Sequence, residues 1–140
     1  MLFGALHKAV PERMPAAYYA VSYIMSFLTV DHDERKVLVE VEIGGCGALT
    51  YSDGASALSF GMHNNSNIPI EMIESDMPLT LLGYGLLTDS GGAGRQRGGL
   101  GLWREWRIDC TVAQLSANLD RFKFGLWASR AASLQPAPSI

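Results

Sequence analysis

Charge is scarce in this chain. Asp, Glu, Lys and Arg supply 18% of its 140 residues, below the usual globular share, which suits a protein with part of its exterior covered. Positive charge is not in excess either. The formal net charge is −3, so no electrostatic footprint for nucleic acid exists. Cysteine is limited to Cys46 and Cys110, with no CxxC spacing, which argues against a zinc site or a disulfide scaffold. Two reduced thiols in a cytoplasmic protein are expected, since intracellular disulfides are uncommon. No uncharged apolar run of about twenty residues occurs, so no membrane-spanning helix is expected. The opening stretch does not read as a signal peptide. His7, Lys8, Glu12 and Arg13 interrupt its apolar run, and it carries Pro11 and Pro15.

Glycine, by contrast, is plentiful at 15 residues, and 48% of the chain is apolar. That pairing suggests one domain in which backbone packs closely against backbone. Residues 1–130 are expected to form one module and 131–140 a frayed tail. No tandem repeat is visible.

Local patterns predict a mainly β fold with one or two short helices. Leu2 to Val10 reads as a short helix stopped by Pro11, because proline has no amide donor and clashes with the preceding turn. Tyr18 to Val30 is rich in aromatic and β-branched residues that suit a strand. The polar run DHDERK then reads as a turn, and Val37 to Ile43 alternates apolar and acidic residues like a half-buried strand. Pro69 to Asp76 has proline in the first turn, acidic residues near the positive end and Pro78 beyond, the marks of a helix. Leu79 to Leu87, Leu102 to Ile108 and Thr111 to Leu115 are strand candidates, the second placing Trp103 and Arg104 on opposite sides. Between them, Gly44 to Gly61 is either a flexible linker or extended, polyproline-II-like backbone packed side by side. Leu49, Tyr51, Leu58 and Phe60 favour packing.

Two segments concentrate chemistry. In Asp89 to Gly101, the glycines at Gly91, Gly92, Gly94, Gly98 and Gly99 flank Arg95 and Arg97. Successive glycines can aim amides at an anion, and the arginines can add bidentate contacts. The lysine-serine ending of a P-loop is missing. The alternative is a tight structural turn whose arginines pair with Asp89 or Glu105, with Gly98 expected at positive φ. In the second segment, His63, Asn64, Asn65 and Asn67 precede the proposed helix. These groups can cap and lock the loop, or line a polar site. Neither a GxSxG elbow nor a spacing of converging metal ligands accompanies them. The residues alone therefore offer no catalytic centre and no metal site.

Three stretches together resemble the hydantoinase B/oxoprolinase family: IGGCGALTYSDG, containing Asp53; HNNSNIPIEMIE; and DSGGAGRQRGGLGLWREWRI. ALHKAVPERMPAA and DRFKFGLW resemble flanking family stretches. The resemblance implies a barrel-like β arrangement running into a bundle of extended, polyproline-II-like segments. It implies an ATP-dependent complex with a hydantoinase A-type ATP-binding subunit and a chain carrying the amino-terminal half of the B-type subunit. ATP and a divalent metal are then expected in those partners, and none on this chain. The reaction implied is opening of a cyclic amide such as a hydantoin or 5-oxoproline. The alternatives are ATP-dependent carboxylation of a ketone such as acetone or acetophenone, and a non-catalytic truncated remnant. The family's Asp/His metal region has no counterpart here. Cys46 stands at a usual glycine, Ser59 at a common histidine, and His63 and Asn65 at usual threonines. The implied roles are a site wall or a loop anchor for His63, Asn64, Asn67, Arg95 and Arg97, and a structural turn for Asp53 and the loop glycines.

Overall fold

The structure is a computed structural model that describes residues 2–19, 23–61 and 63–119. The stretch DRFKFGLW and the expected frayed tail lie outside the described residues. Seven elements follow in order: α1 Leu2–Ala9, β1 Tyr23–Asp31, β2 Glu34–Glu42, α2 Ile70–Asp76, β3 Leu79–Leu86, β4 Leu102–Ile108 and β5 Val112–Asn118.

Strands β1 and β2 form an antiparallel hairpin with Asp31 opposite Glu34. Its turn is only His32 and Asp33, both at positive φ (45° and 66°), as a two-residue turn matched to strand twist requires. The polar run DHDERK is thus mostly strand, because Asp31 ends β1 and Glu34, Arg35 and Lys36 begin β2. On the other flank of β1, β5 adds antiparallel, giving the order β2-β1-β5. Strands β3 and β4 form a separate antiparallel pair, with a bulge between Leu81 and Gly83.

The expected barrel does not form among the described residues. Closure needs every strand paired on both sides, whereas the outer strands of these two small sheets are each paired on one side only. The strand expected from Tyr18 begins at Tyr23. Tyr18 instead lies in an aromatic cluster with Phe3 and Phe60, its ring centroid 5.9 and 5.4 Å from theirs.

The core sits between the sheets. Phe27 and Leu38 from one sheet meet Leu79 from the other, and Ile73 and Met77 from α2 and its end fill the gap. Trp106 closes it edge-on to Phe27 at 6.1 Å. Helix α2 starts after Pro69, whose missing amide costs nothing at a first turn. Its buried Ile73 is the residue that ties this short helix to the strands.

Strand β2 inverts the simple reading of its alternation. Leu38 and Glu40 are buried, while Val37 and Val39 face outward at 64% and 51% exposure. An alternating pattern sets the period of a strand but not which face is turned in. Here the inward carboxylates are held by a cation from the opposite sheet.

The glycine-rich stretches are packed backbone, not linker. Four segments lie side by side and share sparse backbone hydrogen bonds, among them Ala16 N to Ala48 O at 2.8 Å, Cys46 N to Ala55 O at 2.9 Å, Gly54 N to Arg97 O at 2.7 Å, and Gly99 N to Cys46 O at 2.8 Å. The approach is so close that a Cβ on Gly45 would strike the Gly99 carbonyl, and one on Gly99 would strike that of Ala55. Only glycine permits this spacing.

Candidate functional site

The segment 63–69 is fixed from both sides by polar groups. Asn67 donates from Nδ2 to the Tyr84 hydroxyl at 2.8 Å. Its Oδ1 accepts from Arg104 Nη2 at 2.8 Å. Both ends of this carboxamide are therefore committed to β3 and β4. At the other end of the segment, the Asn65 amide donates to Ser59 Oγ at 3.2 Å. His63 is half-buried, whereas Asn64 is exposed.

Arg104 is the hub of this arrangement. Its side chain is 6% exposed and its Nη1 lies 2.6 Å from Glu40 Oε1 and 3.2 Å from Glu42 Oε1. The guanidinium carbon stands 4.9 Å from the Tyr84 ring centroid, a cation–π approach. Two carboxylates thus share one cation in a largely dry space, an arrangement that demands good geometry to offset desolvation. Burial pushes the Glu42 carboxyl above its ordinary range, against the pull of Arg104 and with repulsion from Glu40. For Arg104, burial works against the charge, but Glu42 and Glu40 outweigh it and the guanidinium is held more firmly protonated. Glu40 Oε2 and Arg104 Nε remain buried with no hydrogen-bond partner among the described residues.

Sequence reading missed Arg104, Glu40, Glu42 and Tyr84. The partners lie on elements 64 residues apart, beyond any local spacing rule. One signal was present: Glu40 and Glu42 alternate on one strand and Arg104 interrupts a bulky apolar strand, so opposite charges on inward faces were available to meet.

The glycine loop is closed by bonds to its backbone and not by ion pairs of its arginines. Asp53 Oδ1 accepts the Arg97 backbone amide at 2.8 Å, so one amide of the would-be nest serves a turn. Gly98 N donates to Gly92 O at 2.9 Å and closes the loop. The guanidinium groups of Arg95 and Arg97 make no ion pair with Asp89 or Glu105 among the described residues. Both arginines are exposed. The expected positive φ at Gly98 is likewise not found, since Gly61 is the described glycine that adopts it. Crowding falls instead on Gly91, where a Cβ would strike the Gly98 carbonyl, and on Gly99, while Gly92 faces open space. Gly94 sits at the exposed bend of the loop.

Cys46 is buried, its thiol pushed up by burial, and its Sγ lies 3.6 Å from Leu58 O. A separate cavity of about 230 Å³ lies by the β1–β2 turn, lined by Thr29, Asp31, Lys36 and Asp76 among others. It shares no residue with the Asn segment or the glycine loop. No group of three or more His, Cys, Asp or Glu among the described residues is placed to hold a metal ion. No described helix is long and apolar enough to cross a membrane.

A packed glycine backbone thus adjoins a carboxamide segment held by a buried arginine. The family described as Hydantoinase B/oxoprolinase matches residues 1–133, and the chain belongs to that family. An uncharacterised protein of Methanocaldococcus jannaschii is 38% identical over 130 residues, covering 91% of this chain and 22% of the relative. The B subunit of a putative D-/L-hydantoinase from a Pseudomonas species is 29% identical over 126 residues, 90% of this chain and 21% of that protein. The beta subunit of a caprolactamase from Pseudomonas jessenii is 38% identical over 109 residues, 69% of this chain and 18% of that protein. The chain spans about a fifth of the length of these curated relatives.

Proposed function

We propose that this chain serves as the glycine-rich module of a B-type subunit in an ATP-dependent complex that opens cyclic amides. The observation that carries this reading is its match, over most of its length, to proteins named as the B subunit of a hydantoinase and the beta subunit of a caprolactamase. Those names favour a cyclic amide over the ketone of a carboxylase. The partners in this reading are a hydantoinase A-type ATP-binding subunit and a polypeptide carrying the amino-terminal half of the B-type subunit. They supply ATP binding and the divalent metal, and the assembly works in the cytoplasm. The extended segments take polyproline-II form and continue a β barrel completed by the partner.

Within that assembly, Arg104 and Asn67 hold the segment 63–69 in place, and His63 and Asn64 contribute to the site wall. Arg95 and Arg97, exposed and without an ion pair among the described residues, meet the anionic phosphorylated intermediate formed when ATP activates the amide oxygen. The reading is tested by substrate-stimulated ATP hydrolysis in the reconstituted complex. Stimulation by hydantoin, 5-oxoproline or caprolactam supports it. Stimulation only by acetone or acetophenone with bicarbonate would transfer the module to the carboxylases.

A further inference from the structure

The outer face of the β2-β1-β5 sheet carries Ile24, Leu28, Val30, Val37, Val39 and Val41 on β1 and β2 and Val112 on β5, with Ser26, Gln114, Ser116 and Asn118 as its uncharged polar positions, as the strand registers place them. Arg35 is the one charged residue in those rows. The core lies on the opposite face, formed with α2 and the β3–β4 pair. On this outer face Val37, Val39 and Val112 remain 64%, 51% and 59% exposed, while Val41 is half-buried. The arrangement is not an accident of a loose register. A slip of one residue along β2 would bury the valines and free the glutamates, yet Glu40 is locked inward on Arg104 at 2.6 Å. The strand thus commits one face to the ion cluster and the core and turns its valines outward.

We infer that this valine face is the docking surface for the part of the B-type polypeptide that lies outside the segment matched here. The proposal rests on the reading of the chain as a B-type module and names the face by which it assembles. Its occupant follows from length and chemistry. In the relatives, the matched stretch is about a fifth of the protein, so some four times as much polypeptide is tethered beside it at high effective concentration. A largely β-branched face on β1 and β2, extended by Val112 of β5, accepts an apolar sheet or helix face at roughly 10 Å. Arg35 lies at the rim of this face near the turn, opposite Val30. A contiguous apolar patch of this kind is otherwise an association hazard for a monomer.

The test co-expresses this chain with the residues of the Methanocaldococcus jannaschii relative outside its matched stretch, as a separate polypeptide. Radical footprinting then compares the free and assembled chain. Labelling of Val37, Val39 and Val112 is expected to fall several-fold on assembly, while the exposed Tyr51 keeps its label. Val37→Lys with Val39→Lys is expected to weaken association by at least about tenfold, the scale of a lost central contact, with far-UV circular dichroism unchanged. Val39→Thr, which keeps the β-branched shape, is expected to cost less and controls for folding. Association with unchanged labelling, or undiminished by the lysine pair, would overturn the assignment of this face and leave the proposed function standing. So would a dimer of this chain that keeps the face occupied in the presence of the partner segment. No association of the unmodified chain would overturn both.

Discussion

Arg104 reaches across from β4 to Glu40 on β2, 2.6 Å away, and so joins the two sheets through a charge pair instead of apolar contact alone. The same guanidinium holds Asn67. Fold and candidate site therefore share one residue.

Removing that cation strands two inward carboxylates. Arg104→Ala is expected to destabilise the fold by roughly 3–5 kcal/mol, the usual cost of breaking a buried pair from one side. Arg104→Met combined with Glu40→Leu should recover part of this loss, because apolar replacements of similar volume remove the need for compensation. Urea unfolding of the three proteins checks both statements. A single substitution as stable as the parent would show the pair to be solvated.

Glu42 sets a pH dependence whose sign is opposite to that of an ordinary salt-bridged acid. Its folded carboxyl is raised by burial, so the folded state holds the proton more tightly than the unfolded one. Stability should fall as pH rises from the ordinary glutamate range through the raised value, then level off. Glu42→Gln should flatten that slope and match or exceed the parent at neutral pH. Thermal unfolding across pH 4 to 8 (a window of about these limits) measures it, and a parent curve that climbs with pH in this window would contradict the burial argument. Asp109 works in the reverse sense at the surface, lowered by its hydrogen bond from Arg107.

The glycines of the two rich stretches are not equivalent. Gly99→Ala drives a methyl group into the Ala55 carbonyl and is expected to cost more than about 2 kcal/mol or abolish soluble expression. Gly92→Ala meets nothing within 4 Å and should stay within about 0.5 kcal/mol of the parent. Equal behaviour of the two variants would mean that the segments are not packed as described.

Much of this was readable from local pattern. Helix α2 declared itself through Pro69 and Pro78, the alternation of Leu102 to Ile108 located β4, and the strand candidate Leu79 to Leu87 matched β3 to within a residue. The packed character of the glycine stretches was visible in Leu49 and Phe60, apolar residues a linker would lack. What escaped was whatever depends on distant partners. The alternation of Val39 with Glu40 gave the strand but not its inward face, since an acid turns inward only if a cation awaits it. Arg95 and Arg97 drew attention because they sit among glycines, while the arginine that organises the Asn segment sat in an ordinary-looking strand. The loop itself is secured by Asp53 through a backbone amide, a bond that side-chain pairing rules do not suggest.

The central claim is that this chain contributes structure and part of a site wall to an assembly and has no turnover of its own. An omission experiment tests it most directly, with ring-opened product measured from hydantoin, 5-oxoproline and caprolactam in the presence of ATP and magnesium. Product should form with the A-type subunit, the amino-terminal B-type polypeptide and this chain together, and should vanish when any one is left out. Arg95→Ala with Arg97→Ala should lower turnover of the complete mixture without disturbing assembly. Product formed by this chain alone, or formed at full rate in its absence, would contradict the account.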